Sequence, residues 1–433
     1  MGRSPHSIAH LIPVVTPSAV GTHTLLLHRA CVARGLESVV YAQEVHDDLG
    51  LDVRPAAEFF ASEPRRDDSR ITVLQFASPW EQAQHLLSRP EPLVVNYHNI
   101  TPPELIDEFW PQAAPLMRHG LFQLRQLAGR ADLAIADSAF NAMQLRECGY
   151  NRVAIASLMM PNRNRANSPG DFANPRRTAA QASNAAPRIN LLFVGRIAPN
   201  KAQHELVNVV GELHRRGVDA RLDLVGKVDA PDYARHISET ITEAELGDSI
   251  TVHGHVSDAE RDALYKNADV FVCLSDHEGF CAPIIEAFSS SIPVVAFHAG
   301  AVSETAGDGA VLVKSKDVAT VATAILGLMA DDKQRSVLVA NGLIRAEYFS
   351  LQRATDQFFD ALVSAFGPLG ETPPTAKSTL KKRLADKAHS SVSGMAWTAM
   401  SPLVGRLDRI EQRLEAIEAA RRDELSNHGE IHR

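Results

Sequence analysis

The sequence predicts an α/β protein with two doubly wound domains and a helical C-terminal tail. Short apolar runs alternate with helix-like segments in two stretches, 8–160 and 188–345. This alternation is typical of parallel sheets covered by helices. A segment rich in Asn, Ala, Ser and Pro separates the two stretches at 162–187, which indicates a flexible linker. A chain of 433 residues is also too long for one ordinary core.

The composition is that of a globular protein and excludes several functional classes. Apolar residues make up 45% of the chain, charged residues make up 22%, and the net charge is −8; this charge argues against nucleic acid as a partner. The absence of CxxC or zinc-finger spacing predicts free thiols and no metal site. The cysteines are Cys31, Cys148, Cys273 and Cys281. With no signal peptide pattern and no run of eighteen apolar residues, we expect a cytoplasmic protein.

The first domain, 1–161, has two loops of interest. The predicted strand 8–15 is followed by a turn that contains Gly21, and a glycine there lets backbone N–H groups approach a phosphate. Packing between the strand and the next helix is the alternative explanation. The second loop, 96–103, follows a predicted strand and contains His98. Ligands bind at the carboxyl ends of parallel strands, so His98 is a site candidate, with a structural imidazole as the alternative.

The second domain, 188–345, begins with a predicted strand that ends in a basic loop. Arg196 and Lys201 lie in this loop. An arginine can hold a diphosphate by two parallel bonds and a lysine as a point charge. Two exposed basic residues in a turn are the alternative. Two later predicted strands end in the glycine turns of Gly226 and Gly254.

The segment SDHEGFCAPIIEAF at 275–288 is the centre of the second domain. It follows a run of apolar residues that predicts a buried parallel strand. Pro283 suits the first turn of a helix, where its missing N–H costs nothing. Glu278 lies in the loop and Glu286 in the helix, so the two carboxylates lie on either side of a helix N-terminus that favours anions. Solvated surface charges are the alternative.

These segments together resemble family 4 glycosyltransferases, which are retaining nucleotide-sugar enzymes with the GT-B architecture. The resemblance rests on the Glu-x7-Glu spacing of Glu278 and Glu286, on FVGRIAPNK at 193–201, and on IPVVAFHAGAVSETAGDGAVLV at 292–313. It implies a nucleotide diphosphate sugar as donor, bound mainly by the second domain, and an acceptor bound by the first. It also implies no cofactor and no obligatory metal, and the chain contains no Asp-x-Asp pair.

The resemblance assigns a role to each candidate. Glu286 should bind the ribose hydroxyls and Glu278 the hydroxyls of the transferred sugar, while His98 positions or polarises that sugar. The catalytic candidates are His98, Arg196, Lys201 and Glu278. The donor-binding candidates are Gly21, Arg196, Lys201, Gly226, Gly254, Glu278, Gly279, Phe280, Cys281 and Glu286. The first turn departs from the family's double glycine because Thr22 follows Gly21.

The implied activity is transfer of a hexose, predicted to be mannose, to a saccharide or lipid-linked saccharide in surface polysaccharide or lipopolysaccharide assembly. Other GT-B enzymes, such as a glycogen-type phosphorylase or a nucleotide-sugar epimerase, lack specific support in these segments. A catalytically idle GT-B scaffold that assembles through its tail is the alternative. The presence of Arg196, Lys201 and Glu286 argues against it.

The tail departs from a minimal family member. A helix at 346–366 is expected to cross back to the first domain, and 367–433 is predicted to be a linker and a short coiled-coil-like helix. The heptad stripe at 403–417 predicts either a homo-oligomer or a helix that packs on its own protein. It consists of Leu403, Leu407, Ile410, Leu414 and Ile417. The basic run 381–383 and the apolar patch 395–397 suit either peripheral contact with the inner face of the membrane or plain solvation.

Overall fold

The computed structural model describes residues 5–46, 52–64, 70–161 and 188–370. The predicted linker at 162–187 lies outside the described residues. The predicted heptad stripe, the basic run and the apolar patch of the tail lie outside them too. Within the described ranges, every helix is too short or too polar to traverse a bilayer.

The first lobe contains a parallel sheet, which has seven strands within the described residues. They are β1 (Ser7–Val15), β2 (Glu37–Val45), β3 (Val53–Pro55), β4 (Arg70–Phe76), β5 (Leu93–Tyr97), β6 (Leu133–Ala136) and β7 (Val153–Ile155). Their order is β3-β2-β1-β4-β5-β6-β7. Every residue of β4 and β5 is buried, as expected for a parallel sheet with both faces covered.

The helices of the first lobe begin where the sequence provides caps. They are α1 (Ala19–Ala33), α2 (Ala56–Ala61), α3 (Ala114–Ala128) and α4 (Ala139–Glu147). The hydroxyls of Ser18 and Ser138 accept backbone N–H groups at the starts of α1 and α4, which satisfies donors that lack partners in the first turn. The sequence pattern predicts an ordinary helix over 81–87, and this segment forms a 3-10 helix, Glu81–Ser88. Pro79 and Pro90 bracket this segment and restrict its length.

The second lobe repeats the design with a six-stranded parallel sheet within the described residues. Its strands are β8 (Ile189–Val194), β9 (Ala220–Val225), β10 (Ile250–Gly254), β11 (Val270–Cys273), β12 (Val294–Phe297) and β13 (Ala310–Val313). Their order is β10-β9-β8-β11-β12-β13. The helices are α5 (Gln203–Arg215), α6 (Pro231–Glu243), α7 (Asp258–Asn267), α8 (Ala282–Ser289), α9 (Val302–Ala306), α10 (Val318–Ala330) and α11 (Asp332–Tyr348).

The strand order of each sheet reverses once. The reversal lies between β1 and β4 in the first sheet and between β8 and β11 in the second. In open α/β sheets, ligands bind outside the carboxyl ends of the strands at such a switch point. The predicted fold class, two doubly wound α/β units, is confirmed. The topology also selects the loops after β8 and β11, which carry Lys201 and Glu278, as the walls of a crevice.

The last described helix, α12 (Leu351–Phe366), packs on the first sheet although it follows the second in the chain. Phe358 and Leu362 are fully buried there against Ile8 and Leu27. Burying each such side chain contributes about 1.5–3 kcal/mol. The C-terminal end of the described chain is therefore held on the first lobe.

Candidate active site

Two predicted site residues, Lys201 and Glu278, meet at the switch point of the second sheet. Lys201 ends the short 3-10 turn after β8, and Glu278 lies in the loop after β11. Lys201 Nζ donates to Glu278 Oε1 over 2.7 Å, and the side chains are only 14% and 11% exposed. The backbone N–H of Asp276 donates to the carbonyl of Asn200 over 2.9 Å. The two loops are thus joined by a backbone bond and by an ion pair.

The backbone of Glu278 is held by a close approach of Gly300. The carbonyl of Glu278 accepts the N–H of Ala301 at 2.9 Å. A Cβ on Gly300 would lie 2.4 Å from the same carbonyl oxygen, and Gly300 has φ of +53°. Both the space and the backbone conformation therefore require glycine. This glycine lies in the segment 292–313 that carried part of the family resemblance.

Glu286 projects from α8 and is fixed by a buried tyrosine. The hydroxyl of Tyr265 donates to Glu286 Oε2 over 2.9 Å, and Tyr265 is 1% exposed. The helix begins after Cys281, which has φ of +69°. This left-handed residue turns the chain sharply between the Glu278 loop and the helix. Phe280 anchors the turn, since its ring packs edge-on against Phe349 at 5.1 Å.

Arg196 is placed differently from Lys201. Its guanidinium is 53% exposed and donates to Asp229 Oδ2 over 2.8 Å. The structure thus brings Lys201 and Glu278 together, whereas Arg196 pairs with an acid in the loop after β9. Arg196 keeps the exposure that a diphosphate contact requires, but it must exchange Asp229 for the ligand or share it.

The glycines predicted at strand ends have backbone reasons for being glycine. A Cβ on Gly226 would lie 2.0 Å from the carbonyl oxygen of Gly195, and φ of Gly226 is +150°. The N–H of Gly226 donates to the carbonyl of Gly254, which has φ of +69°. The N–H of Gly21 donates to the hydroxyl of Ser18. Close approach of neighbouring backbone therefore accounts for Gly226, and helix capping uses the N–H of Gly21.

Gly279 lies where the two lobes touch. Ser138 donates its hydroxyl to the carbonyl of Gly279 over 2.7 Å. A Cβ on Gly279 would lie 2.4 Å from Asn99 Cβ and 3.0 Å from Asn141 Nδ2. Asn99 Nδ2 and both amide atoms of Asn141 are buried with no partner among the described residues. Such unpaired amide groups are costly, and a ligand that reached them would remove the cost.

Two further contacts join the lobes. The carboxylate of Glu304 in α9 accepts the N–H of Ala139 at 2.8 Å, at the start of α4. Burial lowers the pKa of His277, so its ring is neutral at pH 7 and Nε2–H donates to Asn99 Oδ1 over 3.0 Å. Sequence reasoning missed Asn99, Asn141 and Glu304. Asn99 lies next to His98, two residues after the end of β5, so the strand-end rule that selected His98 also applies to it.

His98 is buried more deeply than its prediction as a substrate-binding residue suggested. Its side chain is 1% exposed. Its Nδ1 lies 2.9 Å from Asp137 Oδ2, and its Nε2 lies 2.7 Å from the Gln75 amide. Both ring nitrogens are therefore bonded to protein side chains. Contact with a sugar stays a prediction, and it requires one of these bonds to open.

One group among the described residues has the geometry of a metal site. Ligand atoms of Cys273, Glu278 and Cys281 all lie within 4.8 Å of one another, and the two sulfurs are 3.8 Å apart. The hydrogen bond between the two thiols lowers the pKa of Cys273 and, together with burial, raises the pKa of Cys281 well above its usual value, so one of the two sulfurs stays a thiol. A thiol, unlike a thiolate, is a poor metal ligand. The ammonium of Lys201 on Glu278 also opposes a second cation at this place.

Residues 176–344 match the family model described as glycosyl transferases group 1. This segment is similar to that family and makes up less than half of the chain. It contains Lys201, Glu278 and Glu286, and so covers the crevice wall formed by the second lobe. The resemblance noted from the motifs is thereby confirmed at the level of glycosyltransferases.

Curated relatives match over parts of their length. The chain is 36% identical over 108 residues to O-antigen chain mannosyltransferase B of Escherichia coli, which is 25% of this chain and 28% of that protein. It is 38% identical over 166 residues to MMP alpha-(1->4)-mannosyltransferase of Mycolicibacterium hassiacum, which is 37% and 39% of the two chains. The matched part of the chain thus spans less than half of either relative.

Solved structures match over the fold as a whole. HepE of Anabaena, crystallised with UDP and glucose, has a TM-score of 0.63 at 18% identity. The match covers 82% of this chain and 99% of that one. The protein has the GT-B fold of two facing α/β lobes, as the motifs predicted.

Proposed function

We propose that this protein is a retaining glycosyltransferase that moves a hexose from a nucleoside diphosphate sugar to a saccharide or lipid-linked saccharide. The observation that carries the proposal is the Lys201–Glu278 pair at the switch point of the second sheet. A cation and a carboxylate at this place fit the two parts of such a donor, namely its diphosphate and its sugar hydroxyls.

The donor lies on the second lobe in this proposal. Glu286, fixed by the Tyr265 hydroxyl, accepts the ribose hydroxyls, and Glu278 accepts hydroxyls of the hexose. Lys201 and Arg196 stabilise the diphosphate charge, together with N–H groups at the start of α8. Gly279, Phe280 and Cys281 shape that start. Arg196 reaches the diphosphate by turning away from Asp229.

The reaction breaks the bond between the anomeric carbon and the diphosphate oxygen and forms a bond from that carbon to the acceptor oxygen. The acceptor attacks on the face that the diphosphate leaves, so the anomeric configuration is retained. The acceptor proton ends on the departing diphosphate. Charge on this leaving group develops in the transition state, and preorganised cations such as Lys201 stabilise it there more than in the ground state. This scheme requires no metal ion.

The proposed sugar is mannose and the proposed nucleotide is GDP. Support comes from the relatives of Escherichia coli and Mycolicibacterium hassiacum, both named as mannosyltransferases. A further relative in Mycolicibacterium smegmatis is named as GDP-mannose-dependent and is 28% identical over 161 residues. The name of the Escherichia coli relative supports a surface polysaccharide, such as that of lipopolysaccharide, as the product. A lipid-linked acceptor would bring the enzyme to the inner face of the membrane.

A thermal-shift panel with GDP, UDP, ADP and dTDP tests the donor site. A ligand at a hundred times its dissociation constant adds about 2.7 kcal/mol of stability. We expect GDP to raise the melting temperature of the wild type and to have little effect on Glu286→Ala. Glu239→Gln, an exposed change on α6, serves as the control and should respond as the wild type does.

The panel distinguishes a wrong choice of nucleotide from a wrong proposal of function. Stabilisation by UDP instead of GDP would replace the proposed nucleotide and leave the enzyme class in place. If no nucleotide stabilised the wild type at millimolar concentration, the proposed function would be wrong. An equal response of Glu286→Ala and the wild type would remove Glu286 from the donor site.

A further inference from the structure

A chain of hydrogen-bonded polar groups runs beneath the carboxyl ends of β4, β5 and β6. It leads from the backbone N–H of Met159 through His23, Asn96, Gln75 and His98 to Asp137. Each successive pair lies between 2.7 and 3.0 Å apart. The first three side chains are at most 1% exposed, and those of His98 and Asp137 are 1% and 3% exposed. The proposed mechanism assigns a step to none of these residues.

The N–H of Met159 fixes the first link, since a backbone N–H can only donate. It lies 3.0 Å from His23 Nδ1, which must therefore accept and carry no proton. A neutral imidazole then has its proton on Nε2. Burial, followed by the neighbouring His98, lowers the pKa of His23 well below its usual value, which agrees with a neutral ring. Nε2–H of His23 is thus a donor toward Asn96.

The two amides then have only one compatible orientation. The Asn96 atom 2.9 Å from His23 Nε2 must be the oxygen, because a nitrogen there would place two donors against each other. The same Asn96 atom lies 2.9 Å from the Gln75 amide, so the Gln75 atom must be its nitrogen. In the opposite orientation of the two amides, Asn96 Oδ1 and Gln75 Nε2 have no hydrogen-bond partner among the described residues. Adopting the orientation that His23 requires therefore breaks no hydrogen bond of these two atoms.

The last link determines where His98 carries its proton. The Gln75 nitrogen that faces Asn96 also faces His98 Nε2, at 2.7 Å. Its second hydrogen must donate there, so His98 Nε2 accepts and the proton of His98 lies on Nδ1. Nδ1–H donates to Asp137 over 2.9 Å. We propose that His23, Asn96 and Gln75 are positioning residues that hold His98 as a neutral ring with its proton on Nδ1, bonded to Asp137.

The bond between His98 and Asp137 also holds the turn that precedes α4. Asp137 precedes Ser138, whose hydroxyl caps α4 and donates to the carbonyl of Gly279. The His98–Asp137 bond therefore anchors the turn that contacts the Glu278 loop. In this state His98 supplies neither a proton from Nε2 nor a positive charge toward a diphosphate. What this arrangement means for glycosyl transfer rests on the proposed function, whereas the position of the proton on His98 does not depend on it.

The test is ¹⁵N NMR of the full-length protein labelled in its histidines, with the His98 signals assigned by their loss in His98→Asn. Among the described residues, His23 and Asp137 are the titratable groups that face the His98 ring. We expect the wild type to show a protonated Nδ1 and an unprotonated Nε2 from pH 6 to 8. A His98 ring protonated at Nε2, or at both nitrogens, would overturn the proposal without bearing on whether GDP binds.

Two isosteric variants should give opposite results, because the hydrogen bonds from His23 to Asp137 have a fixed order of donors and acceptors. In Asn96→Asp, a carboxylate accepts from both His23 and Gln75, so His98 should keep its proton on Nδ1 alone. In Gln75→Glu, a carboxylate faces His98 Nε2 and favours the doubly protonated ring, so both His98 nitrogens should give the ¹⁵N signals of protonated nitrogen. Each variant buries one carboxyl in the same chain, so the cost of burial is matched. The reverse pattern would overturn the proposal, and if both variants unfold, the wild-type spectrum decides alone.

Discussion

The ammonium of Lys201 lies 2.7 Å from the carboxylate of Glu278, across the point at which the strand order of the second sheet reverses. The pair is largely shielded from water, so removing either partner leaves the other charge buried and uncompensated. Such a loss is more costly than the loss of a surface pair. The pair therefore links the stability of the two loops to the electrostatics of the crevice.

Replacing Lys201 or Arg196 with Ala should lower turnover by on the order of 10²-fold, the size expected when one charge-stabilising donor is lost. Steady-state kinetics with GDP-mannose would measure the effect. Arg188→Ala is the matched control, because Arg188 pairs with Asp219 at the opposite end of β8 and is half exposed. Unchanged turnover in both site variants would remove these cations from the mechanism.

Gly279→Ala should impair lobe contact, since its Cβ would lie 2.4 Å from Asn99 Cβ. We expect kcat/KM to fall by about tenfold or more, in line with the sensitivity of rate to small misplacements. Adding Asn99→Gly should restore much of the loss. Asn99 has φ of +77°, a conformation that glycine adopts without strain. If the double variant were no better than Gly279→Ala, the steric explanation would fail.

Glu304→Gln should weaken the contact between the lobes, because the carboxylate at the start of α4 loses its charge. Charge at a helix N-terminus contributes about 0.3–1 kcal/mol. We expect a rise of severalfold in the KM for the donor and faster hydrogen exchange at the Ala139 amide. Glu239→Gln is again the control. Unaltered exchange at Ala139 would show that this contact is not formed in solution.

Acid should destabilise the first lobe through His10. Burial, followed by the nearby charge of His28, lowers the pKa of His10 from 6.5 to about 3. Between these values the unfolded chain binds a proton that the folded chain excludes. Stability therefore rises with pH across this window, by up to about 1.4 kcal/mol per pH unit, and levels off above pH 6.5.

His10→Asn should flatten this dependence. The urea midpoint of the first lobe, followed from pH 4.5 to 7.5, would measure it. His46→Asn is the control, because the side chain of His46 is 59% exposed and its replacement should leave the slope intact. An equal slope in the wild type and His10→Asn would contradict the assignment.

Transfer should persist in EDTA. In the proposed mechanism, Lys201, Arg196 and the start of α8 supply the charge that a divalent ion would otherwise provide. We expect turnover in an excess of EDTA to equal turnover without it. Loss of activity that Mg²⁺ or Mn²⁺ restores would show that the protein groups are insufficient.

The hydrophobic periodicity and the positions of Gly and Pro predicted much of the fold. Apolar runs predicted most strands of both sheets, because a strand buried on both faces has little choice but to be apolar. The strands β12 and β13 were not predicted as strands, since their segment at 292–313 was noted only for its family resemblance. The 3-10 helix at Glu81–Ser88 was predicted as an ordinary helix. The short strand β3 and helix α2 were not predicted, because three residues and six residues carry too little pattern to distinguish from a loop.

The candidate site was only partly predictable. The motif spacing selected Lys201, Glu278 and Glu286, since each follows a strand end or a helix start. It did not indicate that Arg196 pairs with Asp229, or that the N–H of Gly21 caps α1. The first contact joins two different loops, so its geometry depends on strand order. The second is a local bond between residues three apart in the chain.

The sequence alone determined the two α/β units, the chemistry of the second-lobe loops and the glycines required by tight turns, because these depend on local propensity and burial. Only the tertiary structure decided which groups meet. Strand order brings Lys201, 77 residues away in the chain, to Glu278. Lobe contact places Asn99 against Gly279, and the buried chain from Met159 to Asp137 fixes the proton of His98. A hydrogen bond depends on distances of tenths of an ångström, and no periodicity in a sequence carries that information.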